Sequence, residues 1–169
     1  SFTVNSATSI TATSPAGCGT VAVTVTTSGG TSATGAAVQC TYVAAPTVTS
    51  ISPASGPAAG GTSVTITGTG FTGATAVKFG ATAAASFTVN SATSITATSP
   101  AGSGTVDVTV TTTGGTSATS AADQFTYVAA PTVTSISPTS GPTAGGTSVT
   151  ITGTGFTGAT AVNFGVTAA

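Results

Sequence analysis

Charge is what this sequence has least of. Its 169 residues include one Lys, two acidic side chains and no His, so that 2% are charged, where about 25% is usual. A nucleic-acid partner needs a basic face to neutralise phosphates, and Lys78 is the lone cation. Nucleic acid is therefore excluded. Two Asp residues without a His cannot assemble a triad or general acid–base machinery of the usual kinds, and they are too few to ligate a metal. The expectation is a protein that is not an enzyme and takes no cofactor. Met and Trp are missing too, and nothing at Ser1 has the make-up of a signal peptide; the chain reads as an internal or processed segment of something longer. No apolar run approaches the ~18 residues of a membrane span.

What is present is hydroxyl, glycine and repetition. The chain has 43 Thr, 21 Ser and 23 Gly, so hydroxyls rather than charges must keep the outer faces wet. Such a surface should be nearly indifferent to salt and pH. A mean hydropathy of +0.49, with apolar residues alternating in short runs, argues for a folded chain over a disordered one. Sliding the sequence by 85 positions superposes 1–84 on 86–169 with ten mismatches. The stretch 53–80, two strands with their turns, returns almost unchanged as 138–165. A repeat of about 85 residues sets the organisation: residues 46–130 form one complete unit, 1–45 are the C-terminal part of a unit, and 131–169 are the N-terminal part of the next. A fragment of about 40 residues cannot close a core by itself. Phe2, Val4, Val21, Val23 and Val25 should then lie open on the first part, and Val149, Ile151, Phe156, Val162 and Phe164 on the last. The two open faces are complementary.

Period-two alternation supplies the strands. TVAVTVTT places Val21, Val23 and Val25 on one side, and TSVTIT and TAVKFG do the same for Val64, Ile66, Val77 and Phe79. Many short strands separated by Gly/Pro turns indicate a sandwich of about seven strands per unit, with no helix. The expected core of the complete unit is Val48, Ile51, Val64, Ile66, Phe71, Val77, Phe79, Phe87, Val89, Ile95, Val106, Val108, Val110, Phe125 and Tyr127.

Four features invite a functional reading. Gly68-Thr-Gly-Phe-Thr-Gly73 fits the dinucleotide fingerprint to the letter. It leads into another strand, though, with no helix N-terminus for a pyrophosphate. Cys18 and Cys40 straddle the SGG turn symmetrically, so a regular hairpin would pair them in a disulfide, worth roughly 3 kcal/mol and implying an oxidising, extracytoplasmic setting. The rival reading is two free core thiols, and a bulge in 31–37 would spoil the register. Lys78 and Asp107 are expected to form an exposed ion pair in preference to an isopeptide crosslink, because Val77 and Phe79 point inward and send Lys78 out. Thr-x-Thr runs are read as ordinary outer strand faces rather than an array for ice or sugar.

The pattern SISPxSGPxAGGTSVTITGTGF, followed by TAVKFG and closing in FTYV, resembles the IPT/TIG domain family. Its most specific parts are Gly56-Pro57, Gly60-Gly61, Gly68-Thr69-Gly70-Phe71 and Phe125-Thr126-Tyr127; Cys40 stands where the first copy should have the closing Phe. The resemblance implies an all-β fold of immunoglobulin-like β-sandwich repeats, as in tandem arrays of bacterial surface proteins and adhesins. The expected function is a structural repeat module of an extracellular or cell-surface fibre, stalk or adhesin. Its partner is expected to be itself, either as tandem repeats of one continuous chain or head-to-tail, with 131–169 of one chain completing a sandwich with 1–43 of the next. The alternative is a module that binds a glycan or a host receptor through loops at one end of the sandwich.

Overall fold

The structure, a computed structural model, describes residues 1–168. The first part of the chain carries β1 (Phe2–Ser6), β2 (Ser9–Ala12), β3 (Gly19–Ala22), β4 (Thr26–Thr27), β5 (Gly30–Thr31), a 3-10 turn (Ala36–Val38) and β6 (Gln39–Tyr42). The complete unit follows with β7 (Thr47–Ser52), β8 (Ser55–Pro57), β9 (Ser63–Thr69), β10 (Ala76–Phe79), β11 (Thr82–Ala83), β12 (Ser86–Ser91), β13 (Ser94–Thr98), β14 (Gly104–Thr112), β15 (Gly115–Thr116), a second 3-10 turn (Ala121–Asp123) and β16 (Gln124–Val128). The last part has β17 (Thr132–Ser137), β18 (Thr150–Thr154), β19 (Asn163–Phe164) and β20 (Thr167–Ala168). The all-β expectation holds, and the two 3-10 turns are the helical pieces that periodicity did not show.

In the complete unit one sheet has the strand order β12-β13-β9-β7, and the other runs β11-β10-β14-β16-β8, with β15 beside β14. Strand β9 shows why the sequence folds this way. Val64, Ile66 and Gly68 are buried and alternate with exposed Ser63, Thr65, Thr67 and Thr69, so β-branched side chains serve both faces of the pleat. At Gly68 the Cβ of any other residue would run into the Thr47 carbonyl and the Phe71 ring. Gly70 and Gly73 have φ of +74° and +72°, the left-handed geometry that turns the chain from β9 toward β10.

The two sheets enclose Val48, Val64, Ile66, Phe71, Val77, Phe79, Ile95, Ala97, Val108, Val110, Phe125 and Tyr127. Phe125 is the hub: its ring meets Phe79 edge-on at 5.3 Å and Tyr127 at 5.1 Å between centroids, a geometry aromatic quadrupoles favour. Ile51, Phe87 and Val106 pack at the margin. Val89 departs from expectation and is exposed, because its strand is the sheet edge with a register irregularity between Val89 and Ser91.

The chain enters and leaves this sandwich at opposite poles. Ala44 lies against Gly114, and Pro46 is buried beside Gly70, at the pole of the β14–β15 hairpin. At the other pole the Val128 carbonyl accepts the Ala58 N–H, and the Gly102 N–H donates to Ala58 O.

Candidate functional site

The flanking parts repeat the elements of the complete unit but leave them half-built. In the complete unit Val64, Ile66 and Phe71 on β9 and its turn, and Ile95, Val108 and Val110 opposite them, are all 0% exposed. The residues with the same sequence context in the flanks stand open. Phe2 is 71% exposed, Val23 52% and Phe164 53%, with Val4, Ile10, Val21, Val25, Phe156 and Val162 exposed as well, and Val149 and Ile151 only half-covered. Each flank folds these side chains around a concave apolar groove. One groove is lined by Phe2, Val4, Ile10, Val23 and Val25, the other by Ile136, Val149 and Phe164. Sequence reasoning named the main residues of both faces. It passed over Ile136 and Val133, which belong to β17 and are exposed too.

The expected disulfide is corrected by the structure, in which both Cys18 and Cys40 are free thiols. Pairing of β3 with β6 sets Val21 opposite Cys40 and Gly19 opposite Tyr42, so Cys18 lies three positions out of register. The physical cause is the 3-10 turn Ala36–Val38, which adds residues to one arm of the hairpin. Cys40 is half-buried at the position equivalent to Phe125, and Cys18 is exposed.

The expected ion pair is also replaced. Lys78 faces Thr109 across the β10–β14 pair, and among the described residues no ion pair holds it. Asp107 instead stands opposite Gln124 across the β14–β16 pair, next to Asp123, whose pKa its carboxyl helps to raise. Asp123 is 0% exposed. Its Oδ2 accepts the Ser120 N–H at 2.8 Å and the Ser120 hydroxyl at 3.2 Å, and the Ala122 N–H donates to Ser120 Oγ. This is a capping box that starts the 3-10 turn. Asp123 Oδ1 is sealed from solvent without a hydrogen-bond partner. Burial, and next to it the Asp107 carboxyl, push the Asp123 pKa above the ordinary aspartate value against the pull of Ser120. Burial likewise raises Tyr127, whose hydroxyl also lacks a partner. In the first repeat the same three positions are Gly35, Ala22 and Val38; the polar set enters or leaves as a whole.

The glycine fingerprint 68–73 joins β9 to β10, strand to strand, and offers no helix to a phosphate. The outer faces are zipped by cross-strand hydroxyl pairs: Thr47 with Thr69, Thr105 with Thr126 and Thr111 with Thr116, at 2.8 to 2.9 Å. These hydroxyls satisfy one another, as outer strand positions should.

A sequence profile described as the IPT/TIG domain matches residues 46–127 and again 131–169. No curated protein matches the chain. Among solved structures the chain is similar to SGBP-B from a complex xyloglucan utilization locus in Bacteroides uniformis, at 27% identity over 69% of this chain and with a TM-score of 0.40. It spans 33% of that protein's length. With one profile match on the complete two-sheet sandwich and the other on the strands that repeat its beginning, the chain belongs to the IPT/TIG domain family.

Proposed function

We propose that this chain is a structural repeat module of an extracellular fibre, stalk or adhesin, carrying no catalysis of its own, in which neighbouring copies cover the open faces of 1–43 and 131–168. One observation carries the reading: Ile10, Val23, Val25, Phe156 and Phe164 stand open on the flanks, whereas their counterparts Ile95, Val108, Val110, Phe71 and Phe79 are buried between the two sheets of the complete unit. Apolar surface left open costs about 25 cal/mol per Å² relative to burial, and contiguous patches of this kind mark contact surfaces. Entry and exit at opposite poles turn each sandwich into a bead on a line, with Ala44 and Pro46 packed on the bead that follows and limiting the bend.

Hydrogen exchange combined with sedimentation tests this. As concentration rises, particles larger than one chain should appear, and the amides of β1, β2 and β18 should gain protection together with them. A chain that stays monomeric at every concentration, with those amides exchanging freely, would overturn the proposal. Binding on a glycan array without any assembly would favour a ligand-binding module instead.

A further inference from the structure

The complete unit contains both sides of the junction, so the contact between copies can be read in register. This inference rests on the assembly reading above and adds its geometry. We propose that residues 131–168 of one copy seat on residues 1–43 of the next through three backbone ladders, in the register that β9, β10 and β8 take on β13, β14 and β16.

Within the complete unit Ile66 pairs with Ile95, Phe79 with Val108, and Gly56 runs parallel to Tyr127. Moved by the repeat length, these become Ile151 on Ile10, Phe164 on Val23 and Gly141 beside Tyr42. Every residue of the three ladders is conserved between the two settings except one: Asn163 replaces Lys78, and that position points outward and is exposed in both. Backbone pairing therefore has the same side chains to accommodate on both sides. Strand addition of this kind draws affinity from main-chain hydrogen bonds and specificity from alternate side chains.

The occupant is a second copy rather than the chain's own other end. The two flanks are tethered at opposite poles of the bead between them. Contact of one patch with a different patch on the next molecule is heterologous and does not close on itself, which yields an open filament.

Of the ten positions that separate the two settings, four bear on the contact. At the junction Ala22, Val38 and Asn163 replace Asp107, Asp123 and Lys78, so no charged side chain remains. Cys40 replaces Phe125, so the ring that meets both Phe79 and Tyr127 is missing between Phe164 and Tyr42. The junction is the same interface with its central aromatic removed, weaker than the fold of the bead.

Disulfide trapping tests the register. The Gly68 N–H bonds to Thr93 O, so alternation makes Thr65 and Thr96 a non-hydrogen-bonded pair, with Cα atoms about 4.5 Å apart and within disulfide range. Their junction equivalents are Thr150 and Thr11. With Cys18→Ser and Cys40→Ala removing the native thiols, a Thr150→Cys chain mixed with a Thr11→Cys chain should give a crosslinked dimer on oxidation, which neither chain forms efficiently alone. The Thr11→Cys/Thr150→Cys double variant should give a ladder that collapses on reduction. A pair of Thr11→Cys and Thr154→Cys chains, about 13 Å out of register, should stay uncrosslinked. Large particles in sedimentation without the expected dimer would overturn the register and leave the assembly reading standing. Particles no larger than one chain would overturn both, and a crosslinked, closed monomer would refute the second-copy occupant.

Discussion

Asp107 stands across the β14–β16 pair from the residue next to buried Asp123 and helps to raise its pKa, and these are the only two acidic side chains in the chain. Asp123 Oδ1 has no donor, and a proton held between the two acids would satisfy it. The folded state thus holds the Asp123 proton more tightly than the unfolded chain does. The corresponding stability is fully present below the unfolded pKa and is lost as pH rises through the elevated folded value. The complete unit should melt at a higher temperature in mild acid than at neutral pH, the reverse of ordinary acid denaturation. Asp123→Asn, which places an amide donor against Asp107, should flatten that profile. Melting curves across pH on both proteins check it, and a wild-type profile that rises toward neutrality would refute it.

Restoring the missing ring should tighten the junction. Cys40→Phe gives Phe164 and Tyr42 the partner that Phe79 and Tyr127 have. Only the pair with Phe164 crosses the junction, and an aromatic pair contributes about 0.5–1.5 kcal/mol beyond its area, so the concentration at which particles form should fall by about two- to tenfold. Light scattering against concentration measures it. An unchanged threshold would mean that Cys40 does not occupy a junction core.

Thiol labelling gives an independent view of the same position. Cys18 corresponds to exposed Ser103, and Cys40 to fully buried Phe125. A maleimide should therefore react with both thiols in dilute chain, but only with Cys18 once particles have formed. Equal labelling at both sites in the assembled material would count against burial of the 1–43 face.

Two glycines should respond differently to the same substitution. Gly68→Ala drives a methyl into the Thr47 carbonyl and the Phe71 ring, an overpacking that costs about 1–3 kcal/mol with backbone as the obstacle. Gly73→Ala meets nothing within 4 Å and costs only its left-handed φ of +72°, about 1 kcal/mol. Denaturant titrations of the two variants should rank them in that order.

With no charged side chain at the junction, sodium chloride should leave assembly nearly unchanged, while sulfate should promote it by strengthening apolar burial. A steep fall in particle size with sodium chloride would point to an electrostatic contact instead.

The architecture was legible in the sequence because period-two alternation and a fixed repeat length report strands and units directly. Val64, Ile66, Val108 and Val110 are in the core for the reason their spacing suggests. Ala97 escaped notice because a methyl carries little pattern, although its place between the sheets is set by β13. The polar features were not legible, for one shared cause. A 3-10 turn before the closing strand shifts the β14–β16 pairing, so that Asp107 faces Gln124 and meets the residue preceding it, Asp123. The equivalent turn in the first repeat pairs Cys40 with Val21 in place of Cys18. A bulge in 31–37 could be anticipated from its polar composition, but counting residues from a turn cannot give its length or the register beyond it.

Parallel pairing of β8 with β16 sets how such a bead would carry load. The Thr126 N–H donates to Ala54 O and the Ala58 N–H to Val128 O, at 2.9 and 2.8 Å, and the bonds of a parallel pair are evenly spaced and slant across the strands. Tension applied through the two poles slides one strand along the other, so the rungs resist together and none can peel open first. A fibre joined by the weaker contacts between copies would therefore part at a junction while every bead stayed folded, and single-molecule pulling should end in rupture between copies, with whole-bead steps seen only where the junctions are locked covalently.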